Sequence, residues 1–215
     1  MLSLCTNTHK SNNLPMKKIL FAVACLLISA SLMAKDIYVN TPNTTLLLKA
    51  DAGEPLHISY YGSRVSDAEE VYKAYSLWED AYPAFGRGNY DVTALSVCHA
   101  DGNMSTELTY VSDTETREAN ATVYTITLKD KLYDFTVDVC YRAYQNCDVI
   151  EAWSVLKNNE QKPVTLLKYA SGFRPIRQGN AWVSHEHGAW GDEGYITEEQ
   201  LHPGVFEIHD LTGIK

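Results

Sequence analysis

An alternating run near the middle of the chain constrains its fold more than any other feature. Every second position there is aromatic or branched and apolar: Tyr133, Phe135, Val137, Val139 and Tyr141. The positions between them are mainly polar, with Asp134, Thr136 and Asp138. A repeat of two residues places the two sets on opposite faces of a β-strand, whereas a helix needs a repeat of about 3.6. The sequence therefore predicts a long strand with one buried face.

This strand is predicted to turn through Gln145-Asn146 into a second strand over residues 148–156. That register places Cys140 opposite the region of Glu151 rather than opposite Cys147. The two cysteines then do not face each other, which argues against a disulfide bond between them.

The rest of the chain beyond residue 35 has the same β character. Short runs rich in branched and aromatic residues, separated by Gly, Pro and Asn, occur at 37–40, 45–49, 56–61, 93–97, 108–111, 122–128, 164–173, 182–187 and 206–213. Only the segment 67–80 has helical composition, enough for a helical turn within a loop. These runs predict an all-β fold of roughly ten strands, a large two-sheet β-sandwich of the supersandwich type, in one continuous unit.

The first 34 residues are predicted to lie outside this fold. Lys17-Lys18 precedes an apolar run over residues 19–28 and then the small residues Ser29, Ala30, Ser31 and Ala34, the order found in a secretory signal peptide. We expect cleavage after Ala34 and a secreted or periplasmic protein. Residues 1–15 precede Met16, a more natural start, and are interpreted as an upstream extension of the gene.

Two alternatives to a cleaved signal peptide follow from the same segment. A membrane anchor would need about 20 apolar residues, twice the run observed. Acylation of Cys25 as a lipoprotein would leave a short apolar segment before that cysteine.

The net charge of the chain indicates which classes of molecule it can bind. Residues 1–34 contain three lysines and no acidic residue, so the remainder has 15 basic and 27 acidic residues, a formal net charge of −12. Such a surface repels nucleic acid and anionic lipid headgroups, and is compatible with a neutral partner such as a sugar. We therefore expect neither nucleic acid nor membrane as a partner.

Three cysteines remain after cleavage: Cys98, Cys140 and Cys147. An odd number in an exported protein leaves at least one thiol unpaired. We expect mostly buried free thiols, with a bridge from Cys98 to one of the other two as the alternative.

Two aromatic segments bounded by Pro or Gly, residues 78–86 and 187–191, are typical of rigid recognition loops at a surface. In the first, aromatic rings could stack on the apolar face of a sugar while a neighbouring carboxylate accepts hydroxyl protons. The predicted substrate-binding residues are therefore Trp78, Asp80 and Tyr82. The alternative is that these rings pack the loop against another part of the protein.

These two segments, together with residues 133–156 and 200–205, resemble the N-terminal β-sandwich domain of bacterial α-galactosidases of glycoside hydrolase family 36. The resemblance covers residues 37–215. It implies that the domain precedes a (β/α)8 barrel holding the catalytic carboxylates, and that residues 35–215 are a partial domain that stops before its last strands. No catalytic residue is therefore assigned in this chain.

The resemblance also implies what the whole protein does. A family member would be a retaining hydrolase that releases terminal α-linked galactose from raffinose-type oligosaccharides. Its N-terminal domain would shape the substrate pocket and a homo-oligomer. A non-catalytic carbohydrate-binding module and a structural or adhesin-like domain are the alternatives.

One further motif suggests a metal site. In His185-Glu186-His187, residues two apart on a strand share a face, so the two imidazoles could hold Zn²⁺. No third ligand is evident in the sequence, and a metal site needs at least three. We expect no metal and no cofactor.

Overall fold

The computed structural model describes residues 34–74, 79–86, 92–174, 180–189, 191–202 and 206–208. These residues form twelve strands and one short helix. In chain order the elements are β1 Lys35–Asn40, β2 Thr44–Ala50, β3 His57–Ser63, α1 Ala68–Ala74, β4 Glu79–Asp80, β5 Leu95–Cys98, β6 Leu108–Arg117, β7 Ala121–Asp130, β8 Phe135–Tyr144, β9 Ile150–Asn158, β10 Thr165–Tyr169, β11 Trp182–Ala189 and β12 Asp192–Gln200. The all-β fold class is confirmed, and α1 lies where a helical turn was predicted. In the described residues, no helix has the length and apolar character needed to cross a bilayer.

Chain contacts divide the fold into two compact units, one ending at Arg174 and the other beginning at residue 175. The first, here called the sandwich, has two four-stranded antiparallel sheets, ordered β1-β2-β3-β4 and β6-β7-β8-β9, and a β10-β5 pair. The second, called the hairpin unit, contains the antiparallel pair β11-β12. The sequence predicted a single continuous unit.

The two large sheets enclose one hydrophobic core, which is what defines a sandwich. Buried residues come from both sheets, among them Val39 and Leu48 from one and Ile126 and Val137 from the other. On β8, the predicted alternation is confirmed, because Phe135, Val137, Val139, Tyr141 and Ala143 all lie in this core. Tyr133 packs against its edge.

The β8–β9 hairpin has a different register from the one predicted. Cys140 lies opposite Trp153, two residues beyond Glu151. The connection is five residues long, 145–149, rather than two, and Asp148 within it is bound to the β1–β2 turn. The longer turn shifts the pairing because each added residue moves the point where the second strand begins.

The three cysteines of the sandwich are free, and Cys140 and Cys147 do not pair, as predicted. Cys140 is buried and Cys98 is partly buried, whereas Cys147 is exposed in the β8–β9 turn, so the expectation of burial is wrong for Cys147.

The hairpin unit contains a strand that the sequence did not predict. β12 follows a tight turn in which Ala189 pairs with Asp192, and Gly191 has a φ of 80°. The glycine that suggested a recognition loop at 187–191 instead provides the left-handed residue of a β-hairpin. Residues 206–208, predicted to begin a strand, are irregular, and 209–213 lie outside the described residues.

Candidate functional site

The candidate site is the segment 79–86, whose first residues extend a sheet. Strand β4 pairs with β3, so that Asp80 lies opposite His57 and Glu79 opposite Ile58. Directly after this pair, the Ala81 N–H donates to the Leu56 carbonyl at 2.7 Å. The segment is therefore part of the sandwich rather than a loop projecting from it.

The other end of the segment is tied to β5. The Pro83 carbonyl accepts the N–H of Ala94 at 2.8 Å, and the N–H of Phe85 donates to the Leu95 carbonyl at 2.9 Å. Gly86 closes the segment with a φ of 110°, a conformation that favours glycine. A Cβ at this position would lie 3.0 Å from the Cα of Ser105, so the close approach also requires glycine.

Tyr82 has a structural position within this segment. Its side chain belongs to the core, with a relative exposure of 3%. Its hydroxyl donates to the Ala170 carbonyl at 2.8 Å and lies 3.2 Å from the Ser154 Oγ. Burial raises the pKa of the Tyr82 phenol, which favours its neutral, donating form. For Tyr82, the structure thus favours the packing alternative over direct sugar contact, because its ring faces protein.

Asp80 lies at the edge of the segment with its side chain partly exposed. One carboxylate oxygen is 3.3 Å from Nδ1 of His57, which comes from the neighbouring strand. His57 could not be identified from the sequence, because the 22 residues between it and Asp80 contain no local signal that β3 and β4 pair.

A cavity of about 20 Å³ lies beside Asp80, Tyr82 and Thr106. It has room for a water molecule but not for a sugar ring. A saccharide would therefore reach Asp80 only from the solvent side, where its carboxylate could accept hydrogen bonds.

The three predicted substrate-binding residues therefore have different positions in the structure. Tyr82 is core, Asp80 is at a polar edge, and Trp78 lies outside the described residues, directly before Glu79. Glu79 is exposed. These positions leave the role of Trp78 and Asp80 in substrate binding as a prediction.

The histidine motif lies on β11 of the hairpin unit. The ring centroids of His185 and His187 are 5.8 Å apart, and Nδ1 of His187 is 3.3 Å from the Thr197 hydroxyl. Across the described ranges, no group of three or more His, Cys, Asp or Glu side chains is placed to hold a metal ion. The geometry therefore offers two imidazoles on one face without a third ligand.

Comparison with protein families gives one match. Residues 54–215 match the family described as the glycosyl hydrolase family 36 N-terminal domain. The match includes the whole candidate site and every element from β3 to β12. Curated protein sequences gave no match to this chain.

Solved structures share the fold. The chain is similar to the family 36 α-galactosidase AgaA of Geobacillus stearothermophilus, with 20% identity and a TM-score of 0.69. It is also similar to the α-galactosidase of Lactobacillus brevis, with 18% identity and a TM-score of 0.67, and to the galactosidase domain of the α-galactosidase–sucrose kinase AgaSK, with 24% identity and a TM-score of 0.69. Each alignment covers 79% of this chain but only 28% of the other.

Proposed function

Since the chain belongs to the glycosyl hydrolase family 36 N-terminal domain family, we propose that it serves as the non-catalytic amino-terminal domain of an α-galactosidase. In this role it supports the substrate pocket and the oligomer of an enzyme that hydrolyses terminal α-galactosides, while the reacting carboxylates belong to another domain.

The family match over residues 54–215 carries this proposal. The fold and the length of the similar structures agree with it, because the aligned region is a β-sandwich that spans 28% of those α-galactosidase chains. Two of the similar AgaA structures contain raffinose and stachyose, which are the substrate class that we propose for the whole protein.

Within this function, we assign the contact role to Trp78 and Asp80 and a supporting role to Tyr82. The backbone hydrogen bonds that Ala81 and Phe85 donate to Leu56 and Leu95 tie the segment 79–86 to its neighbours, so the Asp80 side chain extends from an ordered backbone. An ordered backbone reduces the conformational entropy lost when such a side chain binds a sugar hydroxyl.

Hydrolysis by the isolated chain is the direct test of its non-catalytic role. The purified chain should release no nitrophenol from a chromogenic α-galactoside above the buffer rate, because a retaining glycosidase needs two carboxylates about 5 Å apart. AgaA at the same concentration provides the positive control. Turnover that Asp80→Asn abolishes and Asp134→Asn leaves intact would overturn the proposal.

The contact role of Trp78 is tested in a protein that joins this chain to a catalytic barrel. Trp78→Ala should weaken substrate binding or oligomer assembly by ~2 kcal/mol, about thirtyfold, as loss of an interface anchor does. The Michaelis constant and the oligomer mass measure the two effects. If neither changes, Trp78 is not a contact residue.

Export of the protein is part of the proposal. The order of basic, apolar and small residues up to Ala34 supports a signal peptide. N-terminal sequencing of the protein from a periplasmic fraction should begin at Lys35. A protein that stays in the cytoplasm with its first residues attached would rule out export.

A further inference from the structure

A second cavity, of about 190 Å³, lies in the sandwich away from the segment 79–86. Its walls are mainly apolar, with Leu46, Ile58, Ile150, Ala152 and Phe173. Three residues with polar ends also line it: Tyr61, Tyr141 and Arg174. They come from β3, from β8 and from the end of the sandwich, so only the folded protein brings them together.

The guanidinium of Arg174 is held against an aromatic ring. Its Cζ lies 3.2 Å from the centroid of the Tyr61 ring, directly above the ring face. A cation in this position is attracted by the ring quadrupole and loses one face to solvent. The N–H donors at the edges of the guanidinium are left for other partners.

No carboxylate compensates this charge within the part of the chain that the structure describes. The groups that act electrostatically on Arg174 are the phenols of Tyr61 and Tyr141, and burial lowers the pKa of the guanidinium. Arg174 is exposed as a residue, so water also solvates part of its charge. Arg142, by contrast, is paired with Glu118 and Glu151.

Tyr141 adds a second donor to the same cavity. Its side chain lies in the core with a relative exposure of 5%, and burial raises the pKa of its phenol, which therefore stays protonated. Its hydroxyl makes no hydrogen bond to another described residue, and it is not among the fully buried polar atoms that lack a partner. An acceptor on a ligand in the cavity would therefore find this donor without displacing a bond to those residues.

From this arrangement we propose that the cavity lined by Tyr61, Tyr141 and Arg174 binds a small organic carboxylate with a compact apolar body. The carboxylate accepts hydrogen bonds from the guanidinium of Arg174 and the hydroxyl of Tyr141. The apolar body lies against Leu46, Ile58 and Phe173.

Size and polarity select this class of ligand. Cavities of about 150 Å³ lined by Leu, Ile and Phe hold a benzene ring, so this one has room for a six-membered ring and a carboxylate. A sugar fits the walls poorly, because its hydroxyls would lose hydrogen bonds to water without replacement. The site is therefore independent of the carbohydrate function proposed above.

Calorimetric titration of the purified protein with phenylacetate tests the proposal, with phenylacetamide as the neutral isostere and glucuronate as a polar ring carboxylate. We expect saturable binding of phenylacetate, at least tenfold weaker binding of both other probes, and weaker phenylacetate binding at high salt. Equal binding of phenylacetate and its amide, or the absence of saturable binding of phenylacetate, would overturn the proposal.

Variants locate the site. Arg174→Gln should reduce phenylacetate affinity at least tenfold, and Tyr141→Phe, which keeps the ring and its packing, should reduce it about threefold to tenfold. Arg117→Gln, which removes a highly exposed arginine on β6, is the matched control and should leave affinity unchanged. An equal loss of phenylacetate affinity in Arg117→Gln and Arg174→Gln would show only a general charge effect and would contradict the proposal.

Discussion

The sandwich and the hairpin unit both contain antiparallel strands with aromatic and branched side chains, but among the described residues only the sandwich has a buried core of them. In the sandwich, Val39, Leu48, Ile126 and Val137 are almost inaccessible because two sheets face each other. In the described part of the hairpin unit, Trp182, Tyr195, Ile196, Phe206 and Ile208 are all exposed. Branched and aromatic residues therefore favour a strand, whereas burial of their side chains requires a second layer to cover the strand's face.

Two isoleucines give the largest expected difference between the units. Ile126 on β7 has a relative exposure of 0% and Ile196 on β12 has 67%. Ile126→Ala should lower the free energy of unfolding by about 2–5 kcal/mol through lost burial and a cavity. Ile196→Ala should change it by less than about 0.5 kcal/mol. Urea denaturation followed by circular dichroism measures both, and similar losses would mean that β12 is covered.

Two glycines with positive φ separate backbone strain from close packing. Alanine at either position suffers strain of about 1–2 kcal/mol. At Gly86 the new Cβ also meets the backbone of Ser105, while at Gly191 it meets nothing within 4 Å. Gly86→Ala should therefore cost about 2–4 kcal/mol in total, and Gly191→Ala only the strain. Equal unfolding free energies for the two variants would contradict the close approach at Gly86.

Two tyrosines compare a bound hydroxyl with an exposed one. Tyr82→Phe removes hydrogen bonds to Ala170 and Ser154 inside the sandwich and should destabilise it by about 1 kcal/mol. The Ser154 hydroxyl still donates to the Ala170 carbonyl, which limits the loss. Tyr169→Phe, at an exposed position of β10, should have almost no effect. Thermal unfolding of the two variants beside the parent protein measures this difference.

The smallest expected effect is a pH dependence confined to the sandwich. The side chain and the backbone N–H of Asn43, with the hydroxyl of Thr41, lower the pKa of Asp148. Since the folded pKa lies below the unfolded value of about 3.9, ionised Asp148 stabilises the fold above that value. This contribution is lost as the pH falls through the folded pKa.

The variant Asp148→Asn makes the pH dependence measurable. Its stability deficit relative to the parent should be largest near neutral pH and shrink in acid. Asp134→Asn, which removes an exposed carboxylate bound to Lys129, controls for the change in charge. A deficit in Asp148→Asn that stays constant between neutral and acid pH would contradict the role assigned to the carboxylate.

Sequence alone predicted what depends on neighbours along the chain. The buried face of β8 followed from its period of two, and α1 followed from local composition. The prediction of the β8–β9 register was wrong because Asp148 is held by a turn more than 100 residues away in the sequence. β12 was missed because a hairpin glycine and a loop glycine look alike in sequence.

The candidate site shows the same limit. Pro83 and Gly86 predicted a rigid segment, and the structure shows backbone hydrogen bonds that tie it to Ala94 and Leu95. Its aromatic character did not indicate whether Tyr82 faces solvent or core, since its hydrogen-bond partners, Ser154 and Ala170, come much later in the chain. His57 and the cavity around Arg174 are assembled from distant elements and left no local signal.

The hydrogen bonds of Ala170 have a consequence for how this protein folds during its synthesis. Its N–H binds the Ala94 carbonyl, and its own carbonyl accepts hydrogen bonds from Tyr82 and Ser154, across separations of 88 and 16 residues. Such distant contacts slow folding, because long loops must close before they form. The segment 79–86 is synthesised early, yet its anchor leaves the ribosome about 90 residues later. Throughout that interval the Tyr82 hydroxyl lacks its Ala170 acceptor, so the segment 79–86 is fully anchored only after Ala170 has been translated.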